Sequence, residues 1–296
     1  MENKPLLVTH DSTFHADDVF ATATLAILLK DNYELVRTRD MEIIKKADYV
    51  YDVGGEHTPE KNIFDHHQIG GAGARENGIP YASFGLVWKK YGEEICGSKE
   101  VSNKIDERLV QPIDASDNGV AIEKDIFENL NSYTINSIIK IFRPTWKEEQ
   151  KFNDIFKDLV IFAKKILERE IVHAKDLIDA EKIVIDIYNK TIDKRIILIE
   201  PSCPAQKILK NFPEPLIIVN ERPDGKWNAR VIESDEGEFS RRISFPKPWA
   251  GLREQELQKV TGVSDAVFCH NGLFMVVALS KEGAIRLAEK ALELSQ

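Results

Sequence analysis

Pro5-Leu6-Leu7-Val8-Thr9-His10-Asp11-Ser12-Thr13-Phe14-His15-Ala16-Asp17-Asp18 sets an apolar run of strand length directly against a cluster of imidazoles and carboxylates. Residues 5–9 read as a short buried strand and residues 10–18 as a polar turn. Residues 19–30, apolar on nearly every side, read as a buried helix. The pattern recurs downstream. Residues 34–38 read as a second strand, followed by a short helix near 41–46. Residues 48–53 read as a third strand ending in Gly54-Gly55, and residues 62–64 as a fourth ending in Asp65-His66-His67. Strands alternating with helices predict an α/β fold with βαβ units and a mainly parallel sheet. The carboxyl ends of such strands share one edge, where ligands bind, so residues distant in sequence converge there.

The chain is 296 residues long, enough for one large domain or two ordinary ones. With 43% hydrophobic and 30% charged residues it can fill a core, which excludes global disorder. A net charge of −9 argues against a broad footprint for duplex nucleic acid. It leaves room for a small anionic substrate held by local cations and metals. Cys96, Cys203 and Cys269 are too few and scattered for a disulfide framework, which fits a reducing compartment. There is no apolar run of about 18 residues and no long apolar leader. The expectation is a cytoplasmic protein with no membrane partner and with homodimerisation left open.

Residues 70–80, rich in Gly, read as a mobile loop. Residues 83–94 and 99–116 read as helices, the second closed by Asp117-Asn118-Gly119. Residues 145–200 lack Gly and Pro and should be largely helical. Strands are expected at 195–200, 216–220 and 227–232, with a strand pair over 267–279 around His270-Asn271-Gly272 and a terminal helix over 281–294. A weakly marked boundary in 125–150 leads to an expected division into residues 1–140, a helical connector over 141–190, and residues 191–296.

Of the 7 histidines, His10, His15, His57, His66 and His67 fall early, each near acidic residues. Any one of them could be a hydrogen-bonded core residue. Asp117-Asn118-Gly119 alone is a turn, and Asp114 and Asp117 simply share a helix face. Acid–His groups following three strands are harder to explain structurally. Mixed imidazole and carboxylate donors suit Mn²⁺, Fe²⁺ or Zn²⁺, and this many donors suit two ions about 3.5–4 Å apart, bridged by a carboxylate. Such a pair acidifies a bridging water and neutralises charge on a phosphoryl oxygen.

Several motifs together resemble one family. They are Thr9-His10, Phe14-His15-x-Asp17, Asp52-Val53-Gly54-Gly55-Glu56, Asp65-His66-His67-Gln68, Ser83-x-Gly85-Leu86-Val87-Trp88, Asp114-x-x-Asp117-Asn118-Gly119, Pro246-x-Pro248-Trp249-x-Gly251-Leu252 and His270-x-Gly272. The ordered set resembles the melanocyte-proliferating-gene protein family of DHH-like metal-dependent hydrolases, within the DHH phosphoesterase superfamily. That superfamily includes manganese-dependent pyrophosphatases, single-strand exonucleases and phosphodiesterases of short oligonucleotides. The resemblance implies a parallel-sheet metal domain followed by a smaller α+β substrate domain. It implies two divalent ions, with Mn²⁺ expected, held by His10, His15, Asp17, Asp52 as bridge, His66, and either Asp114 or Asp117. By the same resemblance His67 is a phosphate contact or general acid. Ser12 stands where the family has Gly, and Asp18 where it has Glu. The run after His270 reads Asn271-Gly272-Leu273-Phe274-Met275 in place of Ser-Gly-Phe-x-Gly-Gly.

Arg241, Arg242, Lys247 and Arg253 surround Trp249 in sequence. Guanidinium forks suit phosphate, and Trp249 is either a stacking face for a base or a buried residue. The resemblance implies that Arg241, Arg242 and His270 clamp the far end of the substrate. The expected activity is two-metal phosphoesterase action, through a metal-bound hydroxide, on phosphodiesters of short single-stranded RNA or DNA, exonuclease-like. The alternatives are a pyrophosphatase or phosphomonoesterase acting on a small phosphate substrate, and a non-catalytic metal-stabilised RNA-binding protein.

Overall fold

The computed structural model describes residues 4–124, 127, 130–234 and 240–294. Residues 125, 126, 128 and 129 of the expected boundary stretch lie outside the described residues. The chain divides into two compact units, Met1–Lys175 and Asp176–Gln296.

In the first unit, β1 (Leu6–Thr9), α1 (Ala16–Leu28), β2 (Glu34–Arg37), α2 (Met41–Ile44), β3 (Tyr49–Tyr51), β4 (His57–Thr58) and β5 (Ile63–Phe64) build a sheet of order β2-β1-β3-β5-β4. All pairings are parallel except β4 with β5. The three strands that carry acid–His groups at their ends, β1, β3 and β5, are consecutive neighbours. Val8, Val50 and Val53 pack beneath Ile44 of α2.

The helix α1 begins at Ala16, ahead of the expected start at residue 19. Asp18 Oδ1 accepts from the His15 backbone N–H at 2.8 Å, which closes the first turn early. Ser12 takes a φ of 67°, a left-handed conformation that Gly adopts at no steric cost.

Next come α3 (Ser83–Cys96), α4 (Lys99–Ile105), α5 (Gln111–Asp117) and α6 (Ile135–Ile141). The single helix expected over 99–116 is interrupted by a π-helical turn at Asp106–Val110. Pro112, in the first turn of α5, has no N–H for the carbonyl one turn back, which favours such a widening.

The glycine-rich loop expected to be mobile is tied down. Tyr81 N–H donates to the Gly73 carbonyl at 3.0 Å. The Arg75 side chain, 7% exposed, forks onto Asp106 at 2.7 and 3.1 Å and reaches Asp114 Oδ2 at 2.8 Å. The long helix α7 (Phe152–Lys190) fills most of the stretch expected as a connector, and the division between the units falls inside it.

The second unit holds β6 (Ile196–Ile199), α8 (Gln206–Leu209), β7 (Ile217–Glu221), β8 (Trp227–Val231), α9 (Glu254–Thr261), β9 (Ala266–Cys269), β10 (Met275–Ala278) and α10 (Lys281–Leu294). Its sheet runs β6-β7-β8-β10-β9, parallel only between β6 and β7. Period-two alternation buries both faces. Ile217 and Val219 pack with Leu257, Ala284 and Leu287, while Ile218 packs with Val184, Ile197 and Leu209. Cys269 belongs to the first of these cores. Among the described residues, no helix is long and apolar enough to cross a membrane.

One close approach in the first unit positions the site. The N-terminus of α3 gives Ser83 N–H and Phe84 N–H to the two oxygens of Asp17, at 3.1 and 2.6 Å, and Gly85 N–H to Asp114 Oδ1 at 3.0 Å. A β-carbon on Gly85 would overlap Asp114 Oδ2 and lie 2.7 Å from Asp114 Cγ and 2.9 Å from Arg75 Nη2. Gly85→Ala therefore gains about 1 kcal/mol of helix propensity and loses more, because overpacking costs about 1–3 kcal/mol and breaking a buried ion pair about 3–5 kcal/mol. The expected outcome is a net loss of about 2 kcal/mol or more, seen as a drop of several degrees in Tm. An unchanged or raised Tm would contradict this packing.

Candidate metal centre

His10, directly after β1, turns its Nδ1 to the Asp11 carbonyl at 2.9 Å. A carbonyl only accepts, so Nδ1 carries the proton and Nε2 faces inward. There Nε2 meets Asp18 Oδ2 at 3.3 Å and Asp52 Oδ2 at 3.2 Å. Asp52, just beyond β3, sits at a φ of 56°, a left-handed conformation that Asp tolerates better than most residues. Its backbone N–H donates to Ser83 Oγ at 3.0 Å. This turn aims its two oxygens at different groups. Oδ2 faces His10, while Oδ1 faces His66 Nε2 at 3.3 Å and His67 Nδ1 at 3.4 Å.

After β5, Asp65 organises the histidine pair. Its Oδ1 accepts from His66 N–H, His67 N–H and His67 Nδ1 at 2.8, 3.1 and 2.8 Å, and its Oδ2 accepts from Gly55 N–H. The His67 side chain remains 61% exposed. His66 Nε2 also approaches Asp117 Oδ2 at 3.2 Å and Asp17 Oδ2 at 3.9 Å.

Among the described residues, three groups each bring donor atoms within 4.8 Å of one another and could hold a metal ion: His10, His15 and Asp52; Asp52, His66 and His67; Asp17, His66 and Asp117. Asp114 is not among them. One turn earlier on α5, its oxygens are engaged by Gly85 and Arg75.

The donor chemistry fits a metal. Asp18 Oδ2, Asp52 Oδ1 and His66 Nε2 are buried with contacts of 3.2–3.3 Å to one another's groups but no hydrogen bond of good geometry, a costly state that a cation would relieve. The electrostatics agree. Burial would lower the His10 imidazole pKa, yet bonds to Asp18 and Asp52 carry it up to about 10. His66 is likewise carried up to about 11 against its burial, first by Asp117 and then by Asp52. Burial, and repulsion from Asp52 and Asp117, push the Asp17 carboxyl well above its usual range. Burial pushes Asp52 the same way, but His10 and His66 hold it well below. Without a metal the cluster keeps protons where cations would sit. A cleft of about 360 Å³ opens onto the centre, lined by His10, His15, Arg39, Asp52, His67 and Asp117 among others.

A family model, MYG1_exonuc, described as "Uncharacterised protein family (UPF0160)", matches residues 6–292. The chain belongs to this MYG1 family. It is 30% identical over 329 residues to a MYG1 protein of Caenorhabditis elegans, covering 98% of this chain and 96% of the other. A MYG1 protein of Chlamydia pneumoniae is 30% identical over 295 residues, covering 96% of each chain. The human relative, named MYG1 exonuclease, is 25% identical over 327 residues, covering 97% of this chain and 86% of its own.

In this MYG1 family member the second unit places the expected clamp residues unevenly. Arg242 donates to the carbonyls of Lys210, Phe212 and Pro215, so its fork is already occupied by backbone. Arg241 donates to the Gly272 carbonyl and lies 5.1 Å from the centre of the Phe274 ring. His270 accepts from Gly272 N–H at 2.9 Å, and its ring centroid is 4.2 Å from that of Phe274. Trp249 is no stacking face. It is 1% exposed and packs on Phe245 in the core.

Sequence reasoning assigned no role to Asp18, Asp65, Ser83, Gly85 or Arg75. The first two were visible as acids beside assigned residues. Ser83 and Gly85 belonged to a motif without a stated task, and Arg75, in a glycine-rich loop, had no periodic signal at all.

If the centre holds a metal in the folded state only, Mn²⁺ at about 100 times its Kd should stabilise the protein by about 2.7 kcal/mol. The expected result is a Tm rise on adding Mn²⁺, reversed by a chelator and abolished by Asp52→Asn. A Tm indifferent to Mn²⁺ would refute the metal centre.

Proposed function

We propose that the first unit is a two-metal phosphoesterase centre, with Mn²⁺ the expected ion, that cleaves phosphodiesters of short single-stranded oligonucleotides in exonuclease fashion. The observation that carries this reading is Asp52. Its carboxylate is shared between two donor groups, one oxygen toward His10 and the other toward His66 and His67. That is the arrangement a bridging ligand requires. The relatives named exonucleases and the likeness to DHH phosphoesterases support the same chemistry.

In this reading His10, His15, Asp17, His66 and Asp117 are the remaining ligands. Bound there, a pair of divalent ions would supply an acidified water and neutralise charge on the phosphoryl oxygens. The chain's own groups do the rest. Asp65 accepts from His67 Nδ1 and so fixes the ring with Nε2 available to a phosphate oxygen or to the leaving oxygen. The His10 tautomer, set by the Asp11 carbonyl, keeps Nε2 directed at Asp52. In the second unit, Arg241 and His270 beside Phe274 form a cationic and aromatic surface suited to a nucleotide. Arg242 contributes by ordering backbone.

The test is to strip the protein, restore Mn²⁺, count bound ions, and assay bis(p-nitrophenyl) phosphate, short RNAs and pyrophosphate. About two ions per chain are expected, with faster turnover of RNA than of pyrophosphate. Asp52→Asn should lose at least about a thousandfold in kcat, the scale of several kcal/mol of charge stabilisation, with an unchanged circular dichroism spectrum. Faster turnover of pyrophosphate would move the reading to a pyrophosphatase. RNA binding without turnover under any metal would remove catalysis.

A further inference from the structure

Arg39 lines the cleft of the metal centre and has no role in the arrangement described so far. Among the described residues that line this cleft, it is the only arginine or lysine. Otherwise the wall consists of the carboxylates Asp52, Asp65 and Asp117, imidazoles, and small or uncharged residues. An anionic substrate entering such a wall needs a cation besides any bound metal.

The fold has no structural use for this side chain. Arg39 is 65% exposed, and its Nε is 3.4 Å from Asp11 Oδ1, itself 51% exposed. An exposed pair of this kind contributes little to folding, and a phosphate oxygen can displace it. Two residues earlier, Arg37 shows the contrast. Its side chain is 2% exposed and donates to the Ser12 and Thr13 carbonyls at 3.0 and 3.3 Å and to Asn153 Oδ1 at 3.1 Å. It fixes the wall beside Arg39, leaving Arg39 itself free to bind.

The strand order says what Arg39 reaches. It follows β2, His10 follows β1, Asp52 follows β3, and His67 follows β5, in the spatial order β2-β1-β3-β5. Arg39 and His67 therefore stand on opposite sides of Asp52. Neighbouring strands are about 4.8 Å apart, so Arg39 leaves the sheet edge about 10 Å from β3. Its side chain lines the same cleft as Asp52 but enters it beside Asp11, on the far side of His10, so it meets a substrate to one side of the bridging carboxylate.

We infer that Arg39 is a substrate-binding residue that reads a second phosphate, next to the one being cleaved, so that the site prefers oligonucleotides over diesters with a single phosphate. The inference rests on the phosphoesterase reading above. A guanidinium fork on a phosphate is a charge-assisted bond made in the ground state, so its loss belongs in KM more than in kcat.

The experiment compares Mn²⁺-loaded wild type with Arg39→Gln and Arg39→Lys on a trinucleotide RNA and on bis(p-nitrophenyl) phosphate. Binding of a labelled, cleavage-resistant phosphorothioate trinucleotide is followed by anisotropy. For Arg39→Gln the ratio of kcat/KM for trinucleotide to that for reporter should fall roughly ten- to a hundredfold, carried by KM, with a matching loss of anisotropy binding. Arg39→Lys should recover part of it, and the count of bound Mn²⁺ should stay the same. Equal losses on both substrates, a loss confined to kcat, or no change in either variant would overturn the inference. Failure of the wild type to cleave or bind either substrate would overturn the phosphoesterase reading itself, and it would do so before any variant is made.

Discussion

Asp17, Asp18, Asp52, Asp65 and Asp114 are buried together in one unit, none more than 3% exposed, and the arrangement of the centre follows from keeping that charge out of water. A buried ion without compensation costs several kcal/mol, comparable to the whole stability of a domain. The fold answers carboxylate by carboxylate. Asp17 takes two N–H groups from α3, Asp114 takes Arg75 and Gly85, and Asp65 takes Gly55 and the His66-His67 backbone. What remains is Asp52, faced by imidazoles, and Asp18, whose Oδ1 takes the His15 N–H while its Oδ2 faces His10; Asp18 Oδ2 and Asp52 Oδ1 have no well-formed hydrogen bond. The uncompensated negative charge is thereby concentrated at the spot where three donor groups overlap.

The N-terminus of α3 links structure to chemistry. Its first free N–H groups carry the positive end of the helix dipole, and they are spent on Asp17 and Asp114. Asp17 therefore both caps a helix and offers an oxygen to the His66 and Asp117 group. Ser83 adds a hydroxyl to the Asp52 backbone N–H and holds that residue in its left-handed turn. Gly85 is required because Asp114 and Arg75 occupy the volume of a side chain. The glycine-rich loop before α3 is ordered by the same logic, since Arg75 can reach Asp114 only if the loop folds back.

The sheet and the donors were legible because they obey simple periodicities. Apolar runs ending in Asp or His identify strands, and parallel order brings those ends to one edge, so His10, Asp52 and His66 could be gathered from spacing alone. Asp114 and Asp117 could not be separated, because a three-residue offset keeps both on one helix face. What distinguishes them is Arg75, 39 residues away in sequence from Asp114, and no local pattern records that contact. Trp249 and Arg242 show a related limit of reading residue type alone. Residue type suggests stacking or phosphate binding, but burial in the second unit's core and a ring of backbone carbonyls decide otherwise. The π-helical turn before α5 was likewise invisible to periodicity, which treats 99–116 as continuous.

Arginine placement extends that point to substrate binding. The chain carries 40 Lys and Arg against 49 Asp and Glu, and proximity in sequence does not identify which of those cations an anionic ligand can reach. Arg37, Arg75 and Arg242 are turned inward onto carbonyls and carboxylates, where each holds a segment of backbone in place. A guanidinium has five donors in a rigid fork, and one already committed to internal acceptors cannot also meet a phosphate bidentately. Arg39, held only by an exposed pair with Asp11, keeps its fork free. The buried arginines set the geometry of the walls, and the exposed one supplies charge to what lies between them. The adjacent arginines of the second unit divide the same way. Arg242 is closed by Lys210, Phe212 and Pro215, while Arg241 gives one bond to the Gly272 carbonyl and stays over Phe274, so of that pair one member alone keeps most of its fork uncommitted.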